Sequence, residues 1–141
     1  MEKRFEFLPD VAIADIAFRA RGADIGELFE NCALALTDVM ADPKKISLKE
    51  KKKFSVEGTT QEELLFNFLG ELVYIKDVDN LIFGKFKVGV SEQKLEAECS
   101  GSSLGEIGRA NLRNDVKAIT MHMFSVKKIA KGYEATVVVD I

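Results

Sequence analysis

Residues 12–43 read AIADIAFRARGADIGELFENCALALTDVMADP, and this stretch decides the fold because a strand pattern leads directly into a helix pattern. In its first nine residues, apolar side chains fall on alternate positions, which is the period of a β-strand. From residue 25 onward, apolar residues recur at the spacing of an amphipathic helix. Asp24 and Glu27 match a capping box at its start, and Pro43 stops it. The stretch therefore predicts a strand followed by a helix.

A second helix pattern covers residues 60–80, where Thr60 and Glu63 match another capping box and the apolar stripe runs as far as Val73. The other segments that alternate like strands are 46–58, 81–90, 94–101, 116–126 and 133–141. The short stretches SEQ and KKIAKG join the last four of these segments into two hairpins. Between the hairpins, residues 101–115 are polar and glycine-bearing, and we expect them to be irregular.

This order of elements predicts an α+β fold, with two helices packed on one face of a mainly antiparallel sheet. The 141 residues contain no linker and no low-complexity tract, so we expect one domain over residues 1–141. Each half contains a capped helix followed by strands, as an old duplication would leave, although no repeat is visible residue by residue.

The composition excludes several classes of protein. The formal net charge of −3 gives no global positive field for nucleic acid. No apolar stretch approaches the roughly 20 residues of a transmembrane helix, and the first residues do not resemble a signal peptide. The two cysteines, Cys32 and Cys99, do not have the spacing of zinc ligands. We expect both to be reduced packing residues of a cytoplasmic protein.

Two aspartates interrupt apolar strand patterns. Asp15 lies in the first strand, and Asp140 lies near the end of the last strand, one residue before Ile141. If these strands are neighbours, both carboxylates and the terminal carboxylate of Ile141 converge, and three such groups repel one another unless a cation is bound. Ligands that are all oxygen favour Ca²⁺, Mg²⁺ or Mn²⁺. The alternative is that each aspartate borders its strand in water.

Lys117 and His122 belong to the next-to-last strand pattern. Lys117 could neutralise a nearby carboxylate or contact a partner, and the alternative is a solvated surface lysine. His122 is the only histidine, and we weigh a site role against a hydrogen-bonded packing role. No GxSxG stretch accompanies it, and no Walker or GxGxxG loop is present. The lysine-rich run 44–53 could meet RNA phosphate or an acidic partner, or protect an exposed sheet edge.

Five segments of the sequence resemble the archease family, in order and spacing, from about residue 5 to residue 141. They are AIADIAFRARG, ELFENCALALTDVM, LLFNFLGELVYI, VKAITMHMFSV and ATVVVDI. The VKAIT stretch and the terminal DI are the most specific of them. The resemblance implies an α+β fold related to the strand–helix–strand–strand modules called SHS2, in duplicate.

The resemblance also implies a function. Archeases are accessory proteins of RtcB-type RNA ligases in tRNA splicing, and they promote guanylylation of the ligase by GTP and multiple turnover. Some are linked to tRNA cytosine methyltransferases as modulators of specificity. We therefore expect an activator without catalysis of its own, with an RtcB-type ligase as partner and RNA contacted indirectly. A modulator of a tRNA methyltransferase, working through protein binding, is the alternative, and a metal-dependent hydrolase is a third.

By position, the resemblance implies a metal site formed by Asp15, Asp140 and the terminal carboxylate of Ile141. It assigns a role in activation to Lys117 and places the usual histidine of the VKAIT motif at His122. Two further histidines that are usual in the family correspond to Ala12 and Ala110 in this sequence. Their replacement leaves the oxygen ligands intact, but it puts metal affinity and the match to the partner in question.

Overall fold

The structure is a computed structural model, and it describes residues 4–9 and 14–141. Within these residues the elements are, in order, β1 (Phe5–Leu8), β2 (Asp15–Gly22), α1 (Ile25–Met40), β3 (Glu50–Glu57), α2 (Gln61–Asp79), β4 (Leu81–Val90), β5 (Lys94–Ser103), α3 (Leu104–Ile107), β6 (Ala118–Ile129) and β7 (Gly132–Asp140). Short 3₁₀ turns occur at Pro43–Lys45 and Arg109–Asn111. The predicted α+β class is confirmed.

The two long helices begin with the same side-chain cap. Asp24 Oδ1 accepts a hydrogen bond of 2.8 Å from the backbone N–H of Glu27, and Thr60 Oγ1 accepts one of 3.1 Å from that of Glu63. Each glutamate side chain reaches back to the backbone N–H that precedes the cap residue. At each helix start the cap residue thus satisfies one of the four free N–H groups, and the glutamate satisfies the N–H just before the cap. The predicted helix starts are therefore confirmed.

The helices also end where local chemistry requires it. The first long helix, α1, stops at Met40, three residues before Pro43. The second, α2, ends at Asp79, and the next residue, Asn80, has a φ of 56° in the left-handed region that asparagine tolerates better than most residues. Its N–H donates to the carbonyl of Lys76, which closes the last turn.

The strands form two antiparallel sheets, with orders β1-β2-β7-β6 and β3-β5-β4. Both predicted hairpins are present, as β4–β5 and β6–β7, and the lysine-rich strand β3 lies at a sheet edge as predicted. Gly132 follows the turn of the second hairpin with a φ of 126°, which explains glycine at this position. The division into two sheets was not predicted, because it depends on pairing between residues distant in sequence.

The helices lie between the two sheets. Phe68 of α2 is fully buried, and its ring contacts those of Phe29 in α1, Phe54 in β3 and Phe86 in β4. The side of α1 that faces the four-stranded sheet packs on β2 and β7. One hydrophobic core therefore includes residues of both sheets. None of the helices in the described part of the chain is long and apolar enough to cross a membrane.

Candidate functional site

Asp15 and Asp140 lie directly opposite each other at the end of the β2–β7 ladder. Beyond them, the backbone N–H of Ile141 donates to the carbonyl of Ala14 at 2.9 Å. The Asp140 carbonyl points to the other side of the strand, where it accepts from the N–H of Lys117 at 2.8 Å. Because bonded and non-bonded pairs alternate in an antiparallel ladder, the two aspartates form a non-hydrogen-bonded pair, in which facing side chains are closest. The first and last strands are therefore neighbours, which is the condition for their two aspartates to converge.

The two carboxylates differ from the other charged groups on this face of the sheet. Further along the same face, Arg19 and Arg21 of β2 form ion pairs with Glu134 of β7 and with a glutamate of β1. Asp15 and Asp140 are only partly exposed, and neither forms an ion pair or a side-chain hydrogen bond within residues 4–9 and 14–141. Two like charges thus face each other without a compensating group from the described chain.

Ile141 is held by its backbone and by its side chain. Its N–H bonds to Ala14, and its side chain is half-buried and packs against the core. By the alternation of a strand, the side chain of Ile141 lies on the face opposite Asp140. The ladder therefore fixes the backbone of residue 141 beside the aspartate pair.

Lys117 immediately precedes β6 and is exposed. Its N–H bonds to Asp140, and the next residue, Ala118, lies opposite Asp140 in the β6–β7 register. No carboxylate of the described residues forms an ion pair with the Lys117 ammonium group. The structure therefore brings the backbone of Lys117 next to Asp140 and leaves the Lys117 side chain exposed.

His122 lies in a bulge of β6. The register passes from Thr120 opposite Val138 to Ser125 opposite Thr136, so four residues of β6 face one residue of β7. His122 is exposed and has no hydrogen bond within the described chain, so the packing alternative for this histidine is wrong.

The neighbours of His122 in the bulge, Met121 and Met123, are 65% and 51% exposed. Met123 has a φ of 54°, which is unfavourable for a side chain of this kind. The bulge thus presents apolar side chains next to the histidine, a feature that the alternating sequence pattern did not predict.

Only some lysines of the lysine-rich run 44–53 form ion pairs within the described chain. Lys49 forms an ion pair with Glu106, and Lys52 forms one with Asp79 at the end of α2. The remaining lysines of β3 project from the edge strand into solvent. This arrangement agrees with the edge-protection interpretation, because β3 exposes one unpaired edge of its sheet.

Two open clefts of the described chain, of about 500 and 480 Å³, lie away from the aspartates. The first lies between α1 and β4, and the second lies on the outer face of the three-stranded sheet. Within the described residues, no three side chains of histidine, cysteine, aspartate or glutamate are grouped as metal ligands.

The remaining sequence predictions have mixed outcomes. Ala12 lies outside the described residues, and Ala110 is exposed in the 3₁₀ turn Arg109–Asn111. Cys32 and Cys99 are free and buried, as predicted. Burial raises the pKa of both thiols, with a smaller contribution from a neighbouring glutamate at Cys99.

Sequence reasoning missed Lys76, which lies buried at the end of α2. Burial by itself lowers the pKa of this ammonium group, but hydrogen bonds to Asp115 and Asp77 outweigh that effect and raise it. A signal was present in the sequence: continuing the apolar stripe of α2 by three or four residues beyond Leu72 and Val73 reaches position 76. A lysine on an apolar helix face indicates a buried, paired cation.

Comparisons with known proteins identify the family. The model of the archease protein family matches residues 5–141. A protein archease from Methanosarcina barkeri is 36% identical, and the match covers 99% of this chain and 97% of that protein.

Solved structures agree in fold with this chain. A solution structure of Methanobacterium thermoautotrophicum protein 1598 matches with a TM-score of 0.85 and 33% identity, covering 98% of this chain and 99% of that chain. A Thermotoga maritima crystal structure, described as an archease and possible chaperone, matches with a TM-score of 0.66 and 19% identity, covering 100% of this chain and 98% of that chain. At that identity it supports the fold alone. By sequence and by structure, this chain belongs to the archease family.

Proposed function

We propose that this protein is a non-catalytic accessory factor of the cytoplasm that activates an RtcB-type RNA ligase of tRNA splicing. It promotes GTP-dependent guanylylation of the ligase and so allows multiple turnover. Membership of the archease family supports the proposal, and one structural observation carries it. That observation is the pair of facing carboxylates, Asp15 and Asp140, without a counter-charge in the described chain.

The proposal includes a divalent cation held by Asp15, Asp140 and the terminal carboxylate of Ile141. The donor set fits a hard cation, because all three groups supply oxygen and like charges placed directly opposite in a sheet are otherwise destabilising. Ca²⁺ is the leading candidate, with Mg²⁺ or Mn²⁺ as alternatives. A bound cation would supply positive charge at the end of the sheet. The chain's own contribution is to hold the oxygens at fixed ladder positions.

Lys117 and His122 form the part of the proposed site that meets the ligase. Both side chains are exposed, and Lys117 is linked through its N–H to Asp140. An exposed ammonium group beside a cation site suits an anionic or phosphate-bearing surface of the partner. RNA is then contacted indirectly, through the ligase.

The test is RNA ligation under multiple-turnover conditions, with an RtcB-type ligase, GTP and this protein in less than stoichiometric amount. Asp140→Asn should lose activation, because it removes one carboxylate while keeping size and strand geometry. Asp79→Asn is the matched control, since Asp79 is a partly exposed aspartate paired with Lys52 at the end of α2. Full activation by Asp140→Asn would sink the proposed cation site.

A modulator of a tRNA methyltransferase is the second candidate. The exposed methionines of the β6 bulge favour it, because flexible apolar side chains suit a protein-binding surface. This candidate predicts that chelation of divalent cations leaves the effect on the methyltransferase unchanged. A chelator-sensitive effect, lost together with ligase activation in Asp140→Asn, would favour the first candidate.

A further inference from the structure

Lys76 is a buried cation whose ammonium group contacts three oxygen atoms. Its side chain is 6% exposed, and its Nζ donates to Asp115 Oδ1 at 2.5 Å and to the carbonyl of Val116 at 2.7 Å. A third contact, of 2.6 Å, joins Nζ to Asp77 Oδ1. A buried ammonium group is costly unless it is fully paired, so this residue is fixed by its partners.

Two of the three partners of Lys76, Asp115 and Val116, belong to the segment 112–117, which leads into the proposed site. Asp115 is 75% exposed, so its carboxylate is solvated without Lys76. Val116 is fully buried, and its carbonyl accepts from Lys76. Loss of that donor would leave a buried carbonyl unsatisfied. Loss of Lys76 is therefore expected to destabilise the backbone at Val116 more than the carboxylate of Asp115.

Other groups hold the rest of the segment. Leu112 forms a bridge with Ala41, just beyond the end of α1. The N–H of Arg113 donates to Met40 at 2.8 Å, and the N–H of Asn114 donates to the carbonyl of Val39 at 3.1 Å. Residues 112–114 are thus tied to the end of α1, whereas residues 115 and 116 are tied to α2 through Lys76.

We propose that Lys76 is a positioning residue that fixes segment 112–117 so that Lys117 is delivered next to Asp140. Its ammonium group is the last side-chain attachment before the Lys117 N–H meets the Asp140 carbonyl. These contacts alone support the positioning of Lys117 by Lys76. An effect of Lys76 on ligase activation rests in addition on the proposed function.

Amide hydrogen exchange tests, in the absence of any ligase, whether Lys76 fixes segment 112–117. Lys76→Met keeps an aliphatic side chain but removes all three donors. The Lys117 N–H is expected to exchange about tenfold faster or more, because its hydrogen bond then opens locally. The Ile141 N–H, which bonds to Ala14 on the other side of β7, serves as an internal reference and should change less than about twofold.

Two further variants complete the test. Lys52→Met is the matched control, because Lys52 also forms an ion pair at the end of α2, with Asp79, but does not contact segment 112–117. It should leave the Lys117 amide unchanged. Asp115→Asn alters one exposed partner of Lys76 and should accelerate the Lys117 amide in the same direction but less. It keeps the test decisive if Lys76→Met does not fold.

Ligase activation provides the second measurement. Lys76→Met should need a higher concentration for half-maximal activation, with the saturating rate retained, and Lys76→Arg should restore the lower concentration in part. Unchanged exchange at Lys117 in Lys76→Met and Asp115→Asn would overturn the positioning role. Faster exchange with unaltered activation would support positioning and would overturn the proposed role of Lys117 in activation.

Discussion

Asp15 faces Asp140 across the β2–β7 ladder as a non-hydrogen-bonded pair, and neither carboxylate has a cationic partner in the described chain. In an antiparallel sheet this is the arrangement that brings two side chains closest together. On the same face of the sheet, Arg19 and Glu134 form an ion pair, in which the opposite charges compensate each other. The aspartate pair is therefore the place where a bound cation would change stability most.

Asp140→Asn is expected to stabilise the protein in the presence of a chelator by about 0.2–1 kcal/mol, because it removes a repulsion between facing like charges. In excess Ca²⁺ or Mg²⁺ the wild type should instead be more stable than Asp140→Asn. The wild type then gains stability by ligand linkage, about 2.7 kcal/mol at a cation concentration one hundred times Kd, and the variant gains little. Urea unfolding with and without chelator measures both effects.

The control for this prediction is Asp79→Asn, which removes the partner of Lys52 at the end of α2. It should cost no more than about 1 kcal/mol, as expected for a partly exposed ion pair, and should leave the gain from cations intact. A wild-type protein whose stability is indifferent to millimolar Ca²⁺ and Mg²⁺ would contradict the cation site.

Residues added after Ile141 should remove the cation effect. The Ile141 N–H fixes the last residue to Ala14, so an extension converts the anchored carboxylate into a neutral peptide group. We expect the gain in melting temperature from divalent cations to be lost with a C-terminal tag. An N-terminal tag is the control and should retain the gain. Equal gains with both tags would exclude Ile141 as a ligand.

The helix starts could be predicted because each depends on residues three apart. Asp24 and Glu27, or Thr60 and Glu63, carry the complete capping signal in the local sequence. The pairing of Asp15 with Asp140 required one more assumption, that the first and last strands are neighbours.

What could not be predicted depends on distant contacts. β1 is only four residues long and has no partner until β2 is placed beside it. The division of the strands into two sheets likewise depends on pairing between segments that are distant in sequence. The pattern of α2 could have indicated that Lys76 is buried, but its partners Asp115 and Val116 lie 39 and 40 residues further along the chain.

Phe68→Ala should destabilise the protein by about 3–5 kcal/mol, because Phe68 is fully buried and joins both helices to the three-stranded sheet. Tyr74→Ala on the same helix is the control. Tyr74 is 59% exposed, so its truncation should change the free energy of unfolding by no more than about 0.5 kcal/mol. Urea unfolding measures both, and comparable losses would show that the core is not centred on Phe68.

Alkaline pH should destabilise the fold. Burial raises the pKa of Cys99 from its ordinary value of 9.0 to about 12, and the pKa values of Cys32 and Lys76 are also raised. Above pH 9 the unfolded chain releases protons that the folded chain retains, so the free energy of unfolding falls as pH rises. We expect a constant urea midpoint from pH 7 to about pH 8.5 and a falling one from about pH 9 to about pH 11.

In Cys99→Ala the free energy of unfolding should fall less steeply with pH, relative to the variant's own value at pH 7. The reason is that one of the thiols with a raised pKa is removed. The native thiols should also resist alkylation at pH 8 and react after unfolding, since the thiolate is the reactive form. A urea midpoint that stays level up to about pH 11 would contradict the assignment.

Met123→Gly should stabilise the protein by about 1 kcal/mol, because Met123 holds a φ of 54° that costs a residue with a Cβ roughly 1–2 kcal/mol. Half of its surface is exposed, so little packing is lost on truncation. Met121→Gly is the matched control: Met121 is also exposed in the same bulge, at 65%, but has no positive φ, and its replacement should be neutral or destabilising. If Met123→Gly also weakens ligase activation while the fold gains stability, the bulge keeps its strained conformation for binding. A loss of stability in Met123→Gly, measured by urea unfolding, would show that the methionine side chain stabilises the bulge.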